Sequence, residues 1–353
     1  MTAKDFETVM GLEVHVELKT ETKIFCGCST AFGATPNTQV CRVCLGLPGA
    51  LPVLNEKVVD AAVKAGIATN CEITLYGKQD RKNYFYPDLP KAYQISQYDL
   101  PLCHGGYIDI EVRGETRRIG ITRIHIEEDA GKLIHDGEGT LIDYNRGGVP
   151  LIEIVSEPDF RSPEEVSAYL RKLRAILIYA GISDCKMNEG AFRCDVNLSV
   201  RQRGSSALGI RTEMKNLNSF SFIQKAIEHE AQRQIALVMS GGKVIQETRR
   251  WDQAAGKSVA MRTKEDAHDY RYFPDPDLMP IVITTDKISQ LSSQLPQMPD
   301  ARKAHYIHHY GLSAYDAEQL VSSMAIADYF EKAARDCSNV KLLANMMTTE
   351  VFR

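Results

Sequence analysis

Thr8-Val-Met-Gly-Leu-Glu-Val-His-Val-Glu-Leu18 is the stretch on which the reading of the fold turns. In an extended chain side chains alternate between two faces, so Leu12, Val14, Val16 and Leu18 share one face and Glu13, His15 and Glu17 the other. One face suits a core, and the other carries groups that titrate or ligate. The pattern recurs along the chain. Ile108, Ile110 and Val112 oppose Tyr107, Asp109 and Glu111, while Val196, Leu198 and Val200 oppose Asp195, Asn197, Ser199 and Arg201. Ile210–Lys215 sets Arg211, Glu213 and Lys215 on one side, and Arg201 and Ile210 flank a Gly/Ser-containing stretch that predicts a hairpin. These segments predict an α+β fold with a mainly antiparallel sheet, one face on the core and the other rich in ionisable groups.

Helices interrupt the strands. Ser162-Pro-Glu-Glu165 combines an N-cap, a proline at the first helical position and a capping glutamate, and predicts a helix through Tyr169, Leu170, Leu173 and Leu177 to Gly181. A second helix is expected from about Phe220 to Met239, closed by Gly241-Gly242. Beyond the proline-rich run Phe273–Pro280 the alternation stops and short helical segments follow, including Ser313–Arg335. A domain boundary is expected near residue 290.

Composition narrows the function. With 42 Lys and Arg against 46 Asp and Glu over 353 residues, the net charge is −4. A surface that is basic throughout is excluded, although a local basic patch is not. Apolar runs such as Ala175–Ile182 are too short to span a bilayer, and the first residues show no secretory pattern. Nine cysteines in such a chain point to reduced thiols and metal ligands, and to the cytoplasm. Four of them, Cys26, Cys28, Cys41 and Cys44, form two close pairs. That is how two knuckles assemble a tetrahedral four-thiolate zinc site, and a closed site of this kind is structural.

The carboxylates suggest chemistry of another sort. Glu13 and His15 sit on the polar face of the first strand, Ile121–Ile126 ends in Glu127-Glu128-Asp129, and Glu153 lies inside the apolar run Pro150–Val155. A carboxylate in such a run is costly unless it is paired or bound to a metal. Several of them on one sheet are what a Mg²⁺ site beside substrate phosphates requires. The segment Asp80–Ser96, with Arg81, Lys82, Tyr84, Phe85, Tyr86, Lys91 and Tyr93, adds cations and aromatic rings suited to phosphates and a flat base or sugar. Gly256-Lys257-Ser258 is no P-loop, because Trp251 stands where the first glycine belongs. Three readings remain at this point: an ATP-dependent ligase subunit, a zinc-knuckle nucleic-acid module, and a free-standing small-molecule ligase.

Longer motifs separate them. Gly11–Leu18, Asp80–Asp88, Gln94-Ile-Ser-Gln97, Glu127–Gly131, Asn145–Asp159, Lys215–Phe220 and Glu247–Arg250 resemble the B-subunit family of bacterial and organellar tRNA-dependent amidotransferases (GatB type). The resemblance runs from Phe6 to the end of the chain. It implies a cradle related to the glutamine synthetase catalytic fold over residues 1–290, with the zinc knuckle at 26–44, and the start of a helical domain at 291–353. The family's tail domain would lie beyond.

The resemblance also implies an activity. ATP phosphorylates the side-chain carboxylate of Glu-tRNA(Gln) or Asp-tRNA(Asn), and ammonia from an amidase A subunit then displaces phosphate, with a small C subunit completing a heterotrimer. Carried over by motif, Glu13, His15, Glu128 and Glu153 match the Mg²⁺ ligands, with Lys82 and Glu128 as the catalytic pair. Arg81, Lys82, Tyr84 and Tyr86 match the ATP and substrate contacts. Strict alternation places Glu128 on the apolar face, so a strand end or bulge is expected just before it.

Overall fold

In the computed structural model, which describes residues 2–137, 139–263 and 270–351, the opening alternation becomes one strand, β1 (Phe6–Glu17). Leu12, Val14 and Val16 are buried, while Glu13, His15 and Glu17 remain partly open. An irregular stretch holding the four close cysteines leads to α1 (Glu56–Ala68), where the Asn55 side chain caps the Lys57 amide. Four short strands follow: β2 (Glu72–Ile73), β3 (Tyr76–Gly77), β4 (Asp80–Asn83) and β5 (Tyr93–Ser96). The long hairpin β6 (Cys103–Val112) and β7 (Glu115–Glu128) precedes a small hairpin, β8 (Lys132–His135) and β9 (Thr140–Asp143). Next come β10 (Pro150–Ser156), α2 (Pro163–Tyr179), β11 (Phe192–Gln202), β12 (Thr212–Lys215) and α3 (Phe220–Met239). Strands β13 (Glu247–Asp252), β14 (Lys257–Thr263), β15 (Phe273–Pro274) and β16 (Ile281–Val282) complete the set.

Among the described residues nine strands join in the order β14-β13-β12-β11-β1-β10-β7-β6-β2, so β1 and β10 lie near the middle. Pairing is antiparallel except between β12 and β13, which run parallel because α3 crosses over between them. The sheet is therefore mixed. Helices α1, α2 and α3 cover its apolar face, where Leu12, Val14, Ile124, Ile152 and Ile154 pack with Val166, Leu170, Leu173 and Ile223. Both expected helices form: Ser162 accepts from the Glu165 amide at the start of α2, and α3 spans the anticipated residues. Gly181 after α2 adopts φ +67°, a conformation that favours glycine.

Past β16 the chain is helical. Helix α4 (Thr285–Ser293) returns Leu291 to the sheet's core, whereas α5 (Pro299–Tyr310), α6 (Ala314–Leu320), α7 (Met324–Arg335) and α8 (Val340–Met346) gather around Tyr306, Leu320 and Phe330. The segment Ser313–Arg335 is two helices, since Ser323 caps the Ile326 amide and restarts the chain. The two cores are tied where the Tyr179 hydroxyl donates to the Val321 carbonyl at 2.8 Å. No helix among the described residues is long and apolar enough to cross a membrane.

Because β10 is central and Ile154 is fully buried in the sheet's core, Ile154→Ala should destabilise the chain by about 2–5 kcal/mol. The substitution Glu115→Ala, at the exposed hairpin end of β7, should cost less than about 0.5 kcal/mol. Urea unfolding followed by circular dichroism reads both.

Candidate active site and cysteine centre

Register assembles the site. Strand β10 faces β1 with Glu153 opposite His15, and faces β7 with Glu153 opposite His125. On the far side of β1, Arg193 of β11 stands opposite His15. Directly opposed residues share a face, so Arg193, His15, Glu153 and His125 form one row across four strands. Glu127, two residues past His125, lies on the same face. His15 Nε2 is 3.4 Å from Glu153 Oε2 and 3.6 Å from Glu127 Oε1. His125 Nε2 is 3.4 Å from Glu153 Oε2 and 3.7 Å from Glu127 Oε2. All four separations exceed an ordinary hydrogen bond.

His15, Glu127 and Glu153 each place a donor atom within 4.8 Å of the others. Two carboxylates and one imidazole make a donor set for a divalent cation. Burial pushes the His15 imidazole down, but the neighbouring Glu153 carboxylate, then Glu127 and Asp195, outweigh it and raise it to about 9. Burial likewise opposes ionisation of Glu153, yet the adjacent His125 and His15 hold it well below the usual carboxylate range.

A second acidic group adjoins the first. Glu13 of β1, Asp195 of β11 and Glu213 of β12 bring their oxygens within 4.8 Å of one another. Asn197 donates to Glu13 at 2.9 Å, and Thr248 donates to Glu213 at 2.8 Å. The Lys215 ammonium bridges Asp195 at 2.5 Å and Glu213 at 2.9 Å. Glu13 is raised by burial and then by the charges of Glu153 and Asp195.

Glu128 does not join either group. Strand β7 stays in register through Glu127 and Glu128, and its irregularity lies upstream, opposite Val155 and Ser156. Alternation therefore turns Glu128 away from Glu127, to the Lys91 ammonium at 2.5 and 2.7 Å and the Ile95 amide at 2.8 Å. Glu127 occupies the position expected for Glu128. The signal was in the alternation, which pairs Glu127 with His125.

The remaining expected residues divide. Lys82 on β4 is partly buried over the Tyr270 ring, 4.9 Å from its centre, with no carboxylate within 4.0 Å among the described residues. Burial lowers its basicity, but the charges of Glu127 and Glu153 more than restore it. Arg81, one residue earlier, points to the other face and is committed to Asp275 at 2.7 Å and Asp277 at 2.8 Å. Tyr84 packs edge-on against Tyr270, while Tyr86 is over half exposed.

The four cysteines come from two turns. The Lys23 amide donates to the Cys28 carbonyl across the first, and the Leu45 amide to the Cys41 carbonyl across the second. All four are free thiols whose sulfurs lie within 4.8 Å of one another, with Cys41 and Cys44 4.0 Å apart. A zinc tetrahedron with bonds of about 2.3 Å has edges of about 3.8 Å, so the set fits that ion. Cys44 is drawn below the usual thiol range by its interaction with Cys26 and by the Lys23 charge.

Comparison with known proteins gives the family. Residues 8–289 match the GatB/GatE catalytic domain. The chain is 62% identical over 351 residues to the B subunit of the aspartyl/glutamyl-tRNA(Asn/Gln) amidotransferase of Caldicellulosiruptor saccharolyticus, covering 99% of this chain and 73% of the relative. Proteins of the same name from Caldanaerobacter subterraneus and Geobacter sulfurreducens are 61% and 58% identical, each match covering 99% of this chain and 74% of the relative. The chain belongs to the GatB/GatE family of amidotransferase subunits. In this family member, the acidic face of the central sheet holds two candidate cation groups, with the Lys82 ammonium set over an aromatic ring nearby.

A cation entering the first group must displace the His15 proton. Near neutral pH, Mn²⁺ uptake should release about one proton per ion and tighten as pH rises toward about 9. Calorimetry in buffers of different ionisation enthalpy measures both effects.

Proposed function

We propose that this chain is the tRNA-directed subunit of a three-part amidotransferase. On this reading it uses ATP to phosphorylate the side-chain carboxylate of Glu-tRNA(Gln) or Asp-tRNA(Asn). A carboxylate oxygen of the aminoacyl end attacks the γ-phosphorus, and ADP leaves. Ammonia from a partner amidase A subunit then attacks the acyl carbon, phosphate departs with the bonding pair, and one proton is lost to give the amide. A small C subunit completes the complex, which acts in the cytoplasm. The sheet would then be a cradle of the glutamine synthetase type spanning residues 1–290.

The observation that carries this reading is one sheet face bearing His15, Glu127 and Glu153 beside Glu13, Asp195 and Glu213, with Lys82 close by. His15, Glu127 and Glu153 would hold one Mg²⁺, and Glu13, Asp195 and Glu213 are placed for a second. Bound there, Mg²⁺ would neutralise charge on the nucleotide phosphates. Lys82, whose ammonium faces aromatic rings and no close carboxylate among the described residues, is suited to the oxygens of the transferring phosphoryl group. Arg81 is tied to Asp275 and Asp277, and serves better to hold β4 in place than to grip phosphate. Zinc in the four-cysteine centre would supply folding energy, since four thiolates leave no open position for a reacting water.

The test separates adjacent carboxylates. In the reconstituted three-subunit complex, Glu127→Gln should lower tRNA-dependent ATP cleavage by about 1000-fold, while glutamine hydrolysis by the partner persists. Glu128→Gln, which removes the partner of Lys91 instead, should leave ATP cleavage within about tenfold of the parent. Equal loss in both variants, or none in Glu127→Gln, contradicts the assignment.

A further inference from the structure

Lys23 is 1% exposed, and its ammonium has no carboxylate within 4.0 Å among the described residues. Glu128, which shares a small cavity with it beside Cys26 and Cys44, is already bound to Lys91 and the Ile95 amide. The partners of Lys23 are the Cys44 sulfur at 3.7 Å and the Tyr144 carbonyl oxygen at 3.1 Å. A buried cation needs a compensating charge, and a neutral carbonyl supplies none. The compensation must come from sulfur. Four thiolates around Zn²⁺ carry a net charge of −2, and one ammonium beside them brings the centre to −1.

We propose that Lys23 is the positioning and charge-balancing residue of the four-cysteine centre. It donates an N–H···S hydrogen bond to Cys44 and anchors the knuckle to the turn that feeds β10. The inference rests on the zinc reading of the four cysteines. Its second hydrogen bond, to Tyr144, reaches the segment that leads to Glu153, and the neighbouring Ile24 amide donates to the Gly148 carbonyl at 3.0 Å. Gly148 has φ +83°, and a Cβ there would lie 3.6 Å from Lys23 Cδ and 3.8 Å from Cys44 Cβ. The lysine stem is thus held between the two knuckles and the turn. Partners of metal ligands orient them and tune their donor strength, and their loss weakens metal affinity by about 10–100-fold.

The test uses the full chain, loaded with Zn²⁺ against a chromophoric chelator and separately with Co²⁺. Lys23→Met should still bind one ion through four thiolates, but about 10–100-fold more weakly. Its Co²⁺ thiolate-to-metal charge-transfer band should move to longer wavelength, because sulfur relieved of a cationic donor gives up its electrons more readily. Lys23→Arg should recover most of the affinity. Should Lys23→Met not fold by circular dichroism, Lys23→Gln keeps a donor without the charge, and a loss of about tenfold is expected. Parental affinity and an unmoved band in the neutral variants would overturn the role of Lys23 alone. A parent chain that binds no ion through four thiolates would overturn the zinc reading, and this inference with it.

Discussion

Glu153 sits between two imidazoles in the middle of a nine-stranded sheet, and the rest of the acidic face depends on that arrangement. A carboxylate in a central strand is tolerable only with opposite charge beside it. His15 from β1 and His125 from β7 supply it from the two neighbouring strands, both held toward their protonated forms by the carboxylates around them. The adjacency β1-β10-β7 thus serves the site and the fold together: the faces of those strands that carry Leu12, Val14, Ile124 and Ile154 build the core beneath. The separations of 3.4–3.7 Å keep these groups close without locking them in direct hydrogen bonds, which leaves their donor atoms available to a cation.

The small sheet β15-β4-β5 completes the constellation from outside the main one. Gln97 accepts from the Ile126 amide and Gln94 donates to the Glu128 carbonyl, fastening this sheet to the end of β7. Arg81 clamps β4 to the segment after β15 through Asp275 and Asp277. With Arg81 fixed on one face of β4, alternation carries Lys82 to the other, near Glu127. The pair illustrates how neighbouring cations in one motif acquire unrelated surroundings: one is committed to two carboxylates, and the other lies over aromatic rings.

Much of this was legible in the sequence, because period-two alternation and helix caps are local. The two faces of β1 and β11, the start of α2 at Ser162 and the span of α3 follow directly from residue order. The expectation of Glu128 sets a motif match above alternation; the structure turns Glu128 to Lys91, and the bulge needed to reconcile the two lies opposite Val155 and Ser156 instead. Asp195, Glu213 and Lys215 were recognisable as polar-face residues, but their meeting with Glu13 depends on register between strands far apart in sequence. The parallel pairing of β12 with β13 was hidden because α3 can return the chain on either side of a sheet edge. Lys23 carries no signal in the sequence, because its partner Cys44 is set by an irregular stretch with no periodicity to read, and Lys91 is legible as part of a basic, aromatic patch but its pairing with Glu128 is not.

The central claim is that sheet register makes His15, Glu127 and Glu153 one cation site and sends Glu128 elsewhere. Anomalous diffraction from crystals soaked in Mn²⁺ tests it most directly. The account predicts a peak coordinated by His15 Nε2 and by carboxylate oxygens of Glu127 and Glu153, with Glu128 still paired to Lys91. A peak bound by Glu128, or Mn²⁺ held only by residues away from this row, would contradict it.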